Sequence, residues 1–532
     1  MNTRFEDSAR PSGTRWGARP RLRTVLAAAA LAGALALSAC GGGGAAPDAA
    51  GDGGTVVMGN LYGFASFDPV TTPPPGIDYL QPVYDNLITR KGLSEFVPGL
   101  ATEWSYDGVA QVLSLTLREG VTFTDGTPFD AAAVQANFEY GKNAATGSWA
   151  DTYSSMDRFE IVTPNEIAIH FTTPQPAIIE AMASAPGMMV SPEALAAPGT
   201  LKATPVGTGP WMLDAARTVP NDTYTFTRNP DYWDPEVQQV DDVVIKPLVE
   251  PTTLVNALKN GQVDLIGITG GQAASLEKDG FTVGSMGGAV EVITIGDTRG
   301  EVIPALGDVR VRQAMGYALN RQQLLDATFG GKGAPSVNPF EEGSLGYSPK
   351  LDTAYEQDLG RAKQLMADAG YADGIDVPVY ITAAHSQITD AVAAQLAEIG
   401  VRLQVNVVEN SGALSDKVNT RQSPIMINAL GIRSPWEFYT AFATPEGRYN
   451  PFGSTSPELE ALDAEVRQFG SDEGALAAPV YAEMFERLIY DDAFIIPVFR
   501  QQLPVVMRDG VDAELDTYAG TIPNPRNLSV SE

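Results

Sequence analysis

Two stretches of this chain follow one plan, and that plan narrows the folds open to it. In "TTLVNALKNGQVDLI" a short amphipathic helix runs into Gly261 and an apolar strand follows. In "ITDAVAAQLAEIGVRLQVNVV" a helix stops at Gly400, after which Val401, Leu403, Val405 and Val407 alternate with polar residues. Glycine ends a helix because it takes positive φ without a Cβ clash. A period that changes from 3.6 to 2 across such a residue marks a helix feeding a strand. Between the two lie a helical pattern in "DVRVRQAMGYALNRQQLL", with Val311, Ala314, Met315, Ala318, Leu319 and Leu325 on one face, and another in "DLGRAKQLMADAGY", closed by Gly370. Helices alternating with strands indicate α/β layers.

The earlier part of the chain adds strands and turns. Val56 to Met58 reads as a strand, "FDPVTTPPPGIDY" as a Pro-rich loop and "LQPVYDNLI" as a helix by apolar spacing. "QVLSLTLREGVTFTDGTPFD" reads as two strands with a turn at Asp125-Gly126, and Asp130 is placed to cap the helix through Val134 and Phe138. "DTYTFTRNPDYWD" holds a further strand ending at Arg228, where Pro230 stops it.

The single cysteine, Cys40, sits in "LALSACGGGG". Arg19, Arg21 and Arg23 precede a run of Ala and Leu too short to span a bilayer, so residues 1–39 read as a secretory signal. Leu37-Ser38-Ala39-Cys40 resembles the lipobox of bacterial lipoproteins, which implies acylation of Cys40 and a membrane anchor. Residues 40–54, rich in Gly, Ala and Asp, read as a flexible tether. With Cys40 taken as the anchor, the remaining chain can form no disulfide. The net charge is −30, and the signal segment is itself basic, so the remainder is more acidic still. That charge excludes nucleic acid as an expected partner.

The search for catalytic motifs is largely negative. His170 and His385 are the two histidines, and His170 falls within the alternating "EIAIHF" strand. There is no HExxH, CxxC or GxSxG pattern, and "GTGPW" and "GGKG" fit turns better than phosphate loops. No cofactor and no metal are expected. A carboxylate pair acting as a hydrolase remains open, given 65 acidic residues, but no pair is singled out.

Four landmarks occur in order: "GLATEWSYDG…LSLTLREGVTFTDGTPFDAAAVQANFEY", "TPVGTGPWML…FTRNPDYWD", "GDVRVRQAMGYALNRQQLL…GGKGAPSVNPF" and "DLGRAKQLMADAGYADG". Together, across roughly 55–507, they resemble the large solute-binding proteins of peptide/nickel-type ABC transporters. The resemblance implies a two-lobed periplasmic-binding-protein α/β fold with an extra domain inserted in lobe I. Lobe I would comprise 55–90, 205–290 and 505–532, the inserted domain 91–204, and lobe II 291–504. It further implies a monomeric, extracytoplasmic, lipid-anchored receptor that is not an enzyme. Such a receptor would capture a peptide or similar organic solute and pass it to a membrane permease, whose separate ATPase subunits hydrolyse ATP.

Peptide-binding relatives place an aspartate in a lobe II loop to pair with the ligand's α-amino group. The matching loop here is "INALGIRSPWEFY", and the aspartate position falls on Gly431. Arg433 is then either a partner for a solute carboxylate or phosphate, or a solvated loop residue. The expected ligand-binding set is Tyr62, Phe64, Ile77 and Tyr79 from lobe I, and Asn338, Phe340, Asn428, Leu430, Gly431, Arg433, Trp436 and Tyr439 from lobe II. The missing aspartate keeps oligosaccharides and other non-peptide solutes open as alternatives.

Overall fold

Both helix–glycine–strand units form in the computed structural model, which describes residues 54–92, 95–146, 149–268, 270–431, 434–470, 474–515 and 520–531. Helix Pro251–Lys259 passes through Gly261 (φ 68°) to strand Leu265–Gly267. Helix Ser386–Ala397 passes through Gly400 (φ 85°) to strand Val401–Val408. Asp130 caps helix Ala131–Ala144, its side chain accepting from the Ala133 N–H at 2.9 Å. The signal segment, Cys40 and most of the tether lie outside the described residues.

An 11-stranded sheet organises the chain. At its centre the long strands Thr282–Ile295 and Ile495–Met507 pair antiparallel from Thr282↔Met507 to Thr294↔Ile495, with register breaks between Gly287 and Val290 and between Glu291 and Val292. Strand 495–507 also pairs with Leu265–Gly267, beyond which lie Thr55–Asn60 and Asp242–Pro247 in parallel. Strand 282–295 pairs on its other side with Ile425–Gly431, beyond which come Ile375–Thr382 and Val401–Val408, also parallel. A separate 4-stranded sheet holds Ala101–Asp107, Val112–Leu117, Met156–Thr163 and Glu166–Phe171.

Two main apolar cores flank the central pair. One is drawn chiefly from Val56 to Ile245, with Val505 and Leu528 returning to it; the other is drawn from Val290 to Phe499. The molecule is therefore a two-lobed mixed α/β fold, crossed by the two long strands.

Three local expectations are corrected. The segment 80–88 is not helical: the helix is Ile77–Leu80, and the chain then runs irregularly to strand Ile88–Lys91. Its carbonyls are taken from outside, because Trp211 N–H donates to Pro82 O at 2.9 Å and Gly209 N–H to Val83 O at 3.1 Å. The "GTGPW" turn makes this approach possible, since a Cβ on Gly207 would land on the Val83 carbonyl oxygen. Second, Val121 to Phe123 contributes only a bridge, Thr122↔Pro128, closing the Asp125-Gly126 turn. Third, the expected single helix over 308–325 is two, Val309–Ala318 and Arg321–Phe329. Asn320 divides them by accepting from Gln323 N–H at 2.9 Å, as an N-cap does.

Asp85 ties the returning C-terminal segment to the first lobe. It is 4% exposed and accepts from Thr208 Oγ1 at 2.8 Å, Tyr232 OH at 2.9 Å and Trp233 Nε1 at 3.0 Å, while Arg526 Nη2 stands 2.7 Å away. Removing one member of such a buried pair strands the other charge. Asp85→Ala should therefore lower stability by about 3–5 kcal/mol, read as a fall in the urea midpoint of the first unfolding transition. A midpoint within error of the parent would contradict the role given to this cluster.

Candidate functional site

The two long strands form the floor of a cavity of about 720 Å³. Ser285 to Val290 and Arg500 to Gln502 supply that floor at the register break. It is closely packed there, since a Cβ on Gly288 would collide with the Gln501 carbonyl oxygen. One wall carries Arg90, Phe96, Trp104, Ile179 and Glu180, and the facing wall carries Phe340, Glu341, Pro435, Phe469 and Tyr481. The lobes meet at one end of the cavity: a Cβ on Gly108, between strands 101–107 and 112–117, would lie 2.5 Å from Phe469 O.

Of the expected set, Phe340 lines the cavity, its ring 4.8 Å from Phe485 and 5.8 Å from Phe438. Phe64, Ile77 and Tyr79 do not; they belong to the first core. Phe64 stacks on Tyr79 at 4.5 Å and both meet Tyr224, while Tyr79 OH donates to Tyr62 O at 2.8 Å. Tyr62 is exposed and outside the cavity lining. Asn338 is buried and shapes its own loop, donating from Nδ2 to Ser348 O at 2.6 Å.

Asn428, Leu430 and Gly431 lie on strand 425–431 opposite Val292, Val290 and Ala289, the last two of which line the cavity. Asn428 Oδ1 accepts from Thr294 Oγ1 at 3.2 Å. Trp436 and Tyr439 pack side by side at 5.8 Å on helix Pro435–Ala443, with the Arg467 guanidinium 4.6 Å from the Trp436 ring. Tyr439 OH is spent on Leu459 O at 3.4 Å. Arg433 lies outside the described residues; Ser434 and Pro435 beside it line the cavity.

The charged cavity residues Arg90, Glu180, Glu341 and Arg500 were absent from the expected set. Glu180 stands on the otherwise apolar helix Ile178–Met182, and Arg500 interrupts the apolar run of its strand. A charge inside an apolar run was thus the available signal. Arg90 sits 5.6 Å over the Phe96 ring. Glu180 is half-buried in the wall, and desolvation there pushes its carboxyl up to about 7, against smaller opposing pulls from its own backbone N–H and Arg90. Beneath the floor, outside the cavity lining, Glu291 is 1% exposed and accepts from Gln501 Nε2 at 2.9 Å, and burial holds it at about 7. His170 stays on its strand, with Nε2 3.3 Å from Glu160. Among the described residues, no group of three or more His, Cys, Asp or Glu is placed to hold a metal ion.

Residues 95–450 match the middle region of the bacterial extracellular solute-binding proteins, family 5. The chain belongs to that family. It is 29% identical over 304 residues to a glutathione-binding protein of Salmonella paratyphi A, a match covering 56% of this chain and 58% of that relative. HbpA2 of Haemophilus parasuis superimposes with a TM-score of 0.78 at 23% identity, covering 90% of this chain and 100% of that one. A Helicobacter pylori DppA in complex with peptide STSA gives 0.72 at 22% identity, covering 90% and 98%. Both structures share the two-lobed fold.

The buried carboxyls set a pH dependence. Asp78, buried against Asn60 and Thr521, is raised to about 6 by desolvation; Glu180 and Glu291 stand at about 7. In the unfolded chain the same groups titrate near roughly 4–4.5. Between those limits the folded state binds more protons. The contribution of these three is therefore fully present below about pH 4 and is lost as pH rises through about 6–7. Glu291→Gln removes one of them, so its melting temperature should fall less than the parent's from about pH 5 to about pH 7.5. Parallel curves would show that Glu291 does not titrate in this window.

Proposed function

We propose that this chain is an extracytoplasmic solute receptor, acylated at Cys40 and tethered by residues 40–54. It binds a peptide or similar organic solute between lobe I (55–90, 205–290 and 505–532, with 91–204 inserted) and lobe II (291–504). It then hands the solute to the permease of an ABC importer whose ATPase subunits are separate chains. The receptor acts as a monomer and binds without turning its solute over. The observation that carries this reading is the cavity itself, a volume suited to a small organic molecule, walled by both lobes and floored by the strands that join them. Phe96, Trp104 and Glu180, within the proposed inserted segment, line the cavity, which supports giving that segment a part in binding. Closure about the crossing strands follows, because a solute touching both walls favours the closed arrangement by its differential affinity. A non-peptide solute is the second reading, favoured by Gly431 at the amine-binding position.

Thermal unfolding of the purified protein against a solute panel tests this. The panel holds glutathione, Ser-Thr-Ser-Ala, N-acetylated peptides, oligosaccharides and metal chelates. A true solute at a hundred times its Kd adds about 2.7 kcal/mol, or roughly 2–3 °C for a chain of this size. We expect such a shift with at least one organic solute and its recovery unchanged. Recovery of a cleaved product would instead identify a hydrolase, and a shift confined to sugars or N-blocked compounds would select the non-peptide receptor.

A further inference from the structure

The floor of the cavity carries a guanidinium whose donors are incompletely used. Arg500 lies on strand 495–507 opposite Val290, where the register breaks. Its Nε and Nη1 are buried and make no hydrogen bond. The nearest carboxylate is Glu341 Oε1, 3.3 Å from Nη1, and the Glu341 side chain is 55% exposed, so this pair stands at the edge of water and leaves Nε untouched. A guanidinium has five donors and cannot shed its charge, so an unmet buried Nε–H is a standing cost that a bound group can remove.

Taking the cavity as the solute site, we propose that Arg500 binds a carboxylate of the solute. The planar carboxylate lies along the Nε edge of the guanidinium, accepting from Nε–H and the neighbouring terminal N–H, while Glu341 keeps Nη1. That geometry suits arginine's rigid fork and not lysine's single ammonium. The rest of the chamber agrees with a small acid having an apolar body. Phe96, Trp104 and Phe340 supply apolar wall, and Glu180 across the cavity offers an acceptor for a donor at the solute's other end. Because Arg500 sits where the chain crosses between lobes, the carboxylate would be held at the hinge rather than by either wall alone.

The test compares acids with their amides on the native chain and on Arg500 variants, using Ser-Thr-Ser-Ala, glutathione and the corresponding carboxamides as probes in calorimetric titrations. On the native chain the acid should bind about thirtyfold tighter than its amide, and Arg500→Gln should erase that preference by weakening the acid alone. Arg500→Lys should recover only part of it. The variants should unfold at about the parent temperature, since a buried N–H without a hydrogen bond is removed while the Glu341 partner left behind is half exposed to water. Equal binding of acid and amide by the native chain overturns the proposal without any variant, as does an acid preference that survives in Arg500→Gln. Displacement of the acid by inorganic phosphate at similar concentration overturns it in favour of a tetrahedral anion site. Should only neutral sugars from the panel bind, the carboxylate assignment falls while the receptor reading stands; if nothing binds, both fall.

Discussion

The antiparallel pairing of strands 282–295 and 495–507 is the constraint on which the rest of this structure depends. Most of the chain N-terminal to the first strand packs into one core, with 254–276 forming a smaller cluster of its own, the segment between the two strands packs into another, and the second strand brings the chain back. The ladder is not regular across its whole length, and its two ends meet different neighbours within the one sheet. One end joins Leu265–Gly267 and the other Ile425–Gly431. The register shifts between Gly287 and Val290, where glycines admit close backbone contact. The bulge and the cavity floor are thus one feature.

Polar chemistry gathers at that feature. Glu291 and Arg500 come from adjacent strands near the break, each with a buried atom that finds no hydrogen-bond partner. Of the two, only Arg500 lines the chamber, so in the proposal made above it is the Arg500 Nε–H that a bound carboxylate completes.

Much of the fold was legible because it is locally encoded. Gly261, Gly400 and Gly370 each stop a helix where a positive φ is required, and Asp130 caps where its spacing says it should. The misreadings arise where distant backbone decides. Apolar spacing made 80–88 a helix, but the carbonyls of Pro82 and Val83 are claimed by Trp211 and Gly209, more than a hundred residues along the chain. The site was less legible. Aromatic residues beside the Pro-rich loop look alike whether they wall a cavity or fill a core, and Phe64 and Tyr79 fill a core. Arg500 and Glu180 were visible as charges within apolar runs, yet nothing local says which way such a charge faces.

The central claim is that the lobes close about the crossing strands when solute enters, and one distance measures it. Lys91 and Leu476 are exposed residues next to Arg90 and Ala477, which line the cavity from opposite lobes. With Cys40 replaced by serine, Lys91→Cys and Leu476→Cys give two unique labelling sites. Double electron–electron resonance between spin labels there, without and with a saturating panel solute, reports the opening directly. The account predicts a shorter and narrower distance distribution with solute bound. A distribution that solute leaves unchanged would contradict it.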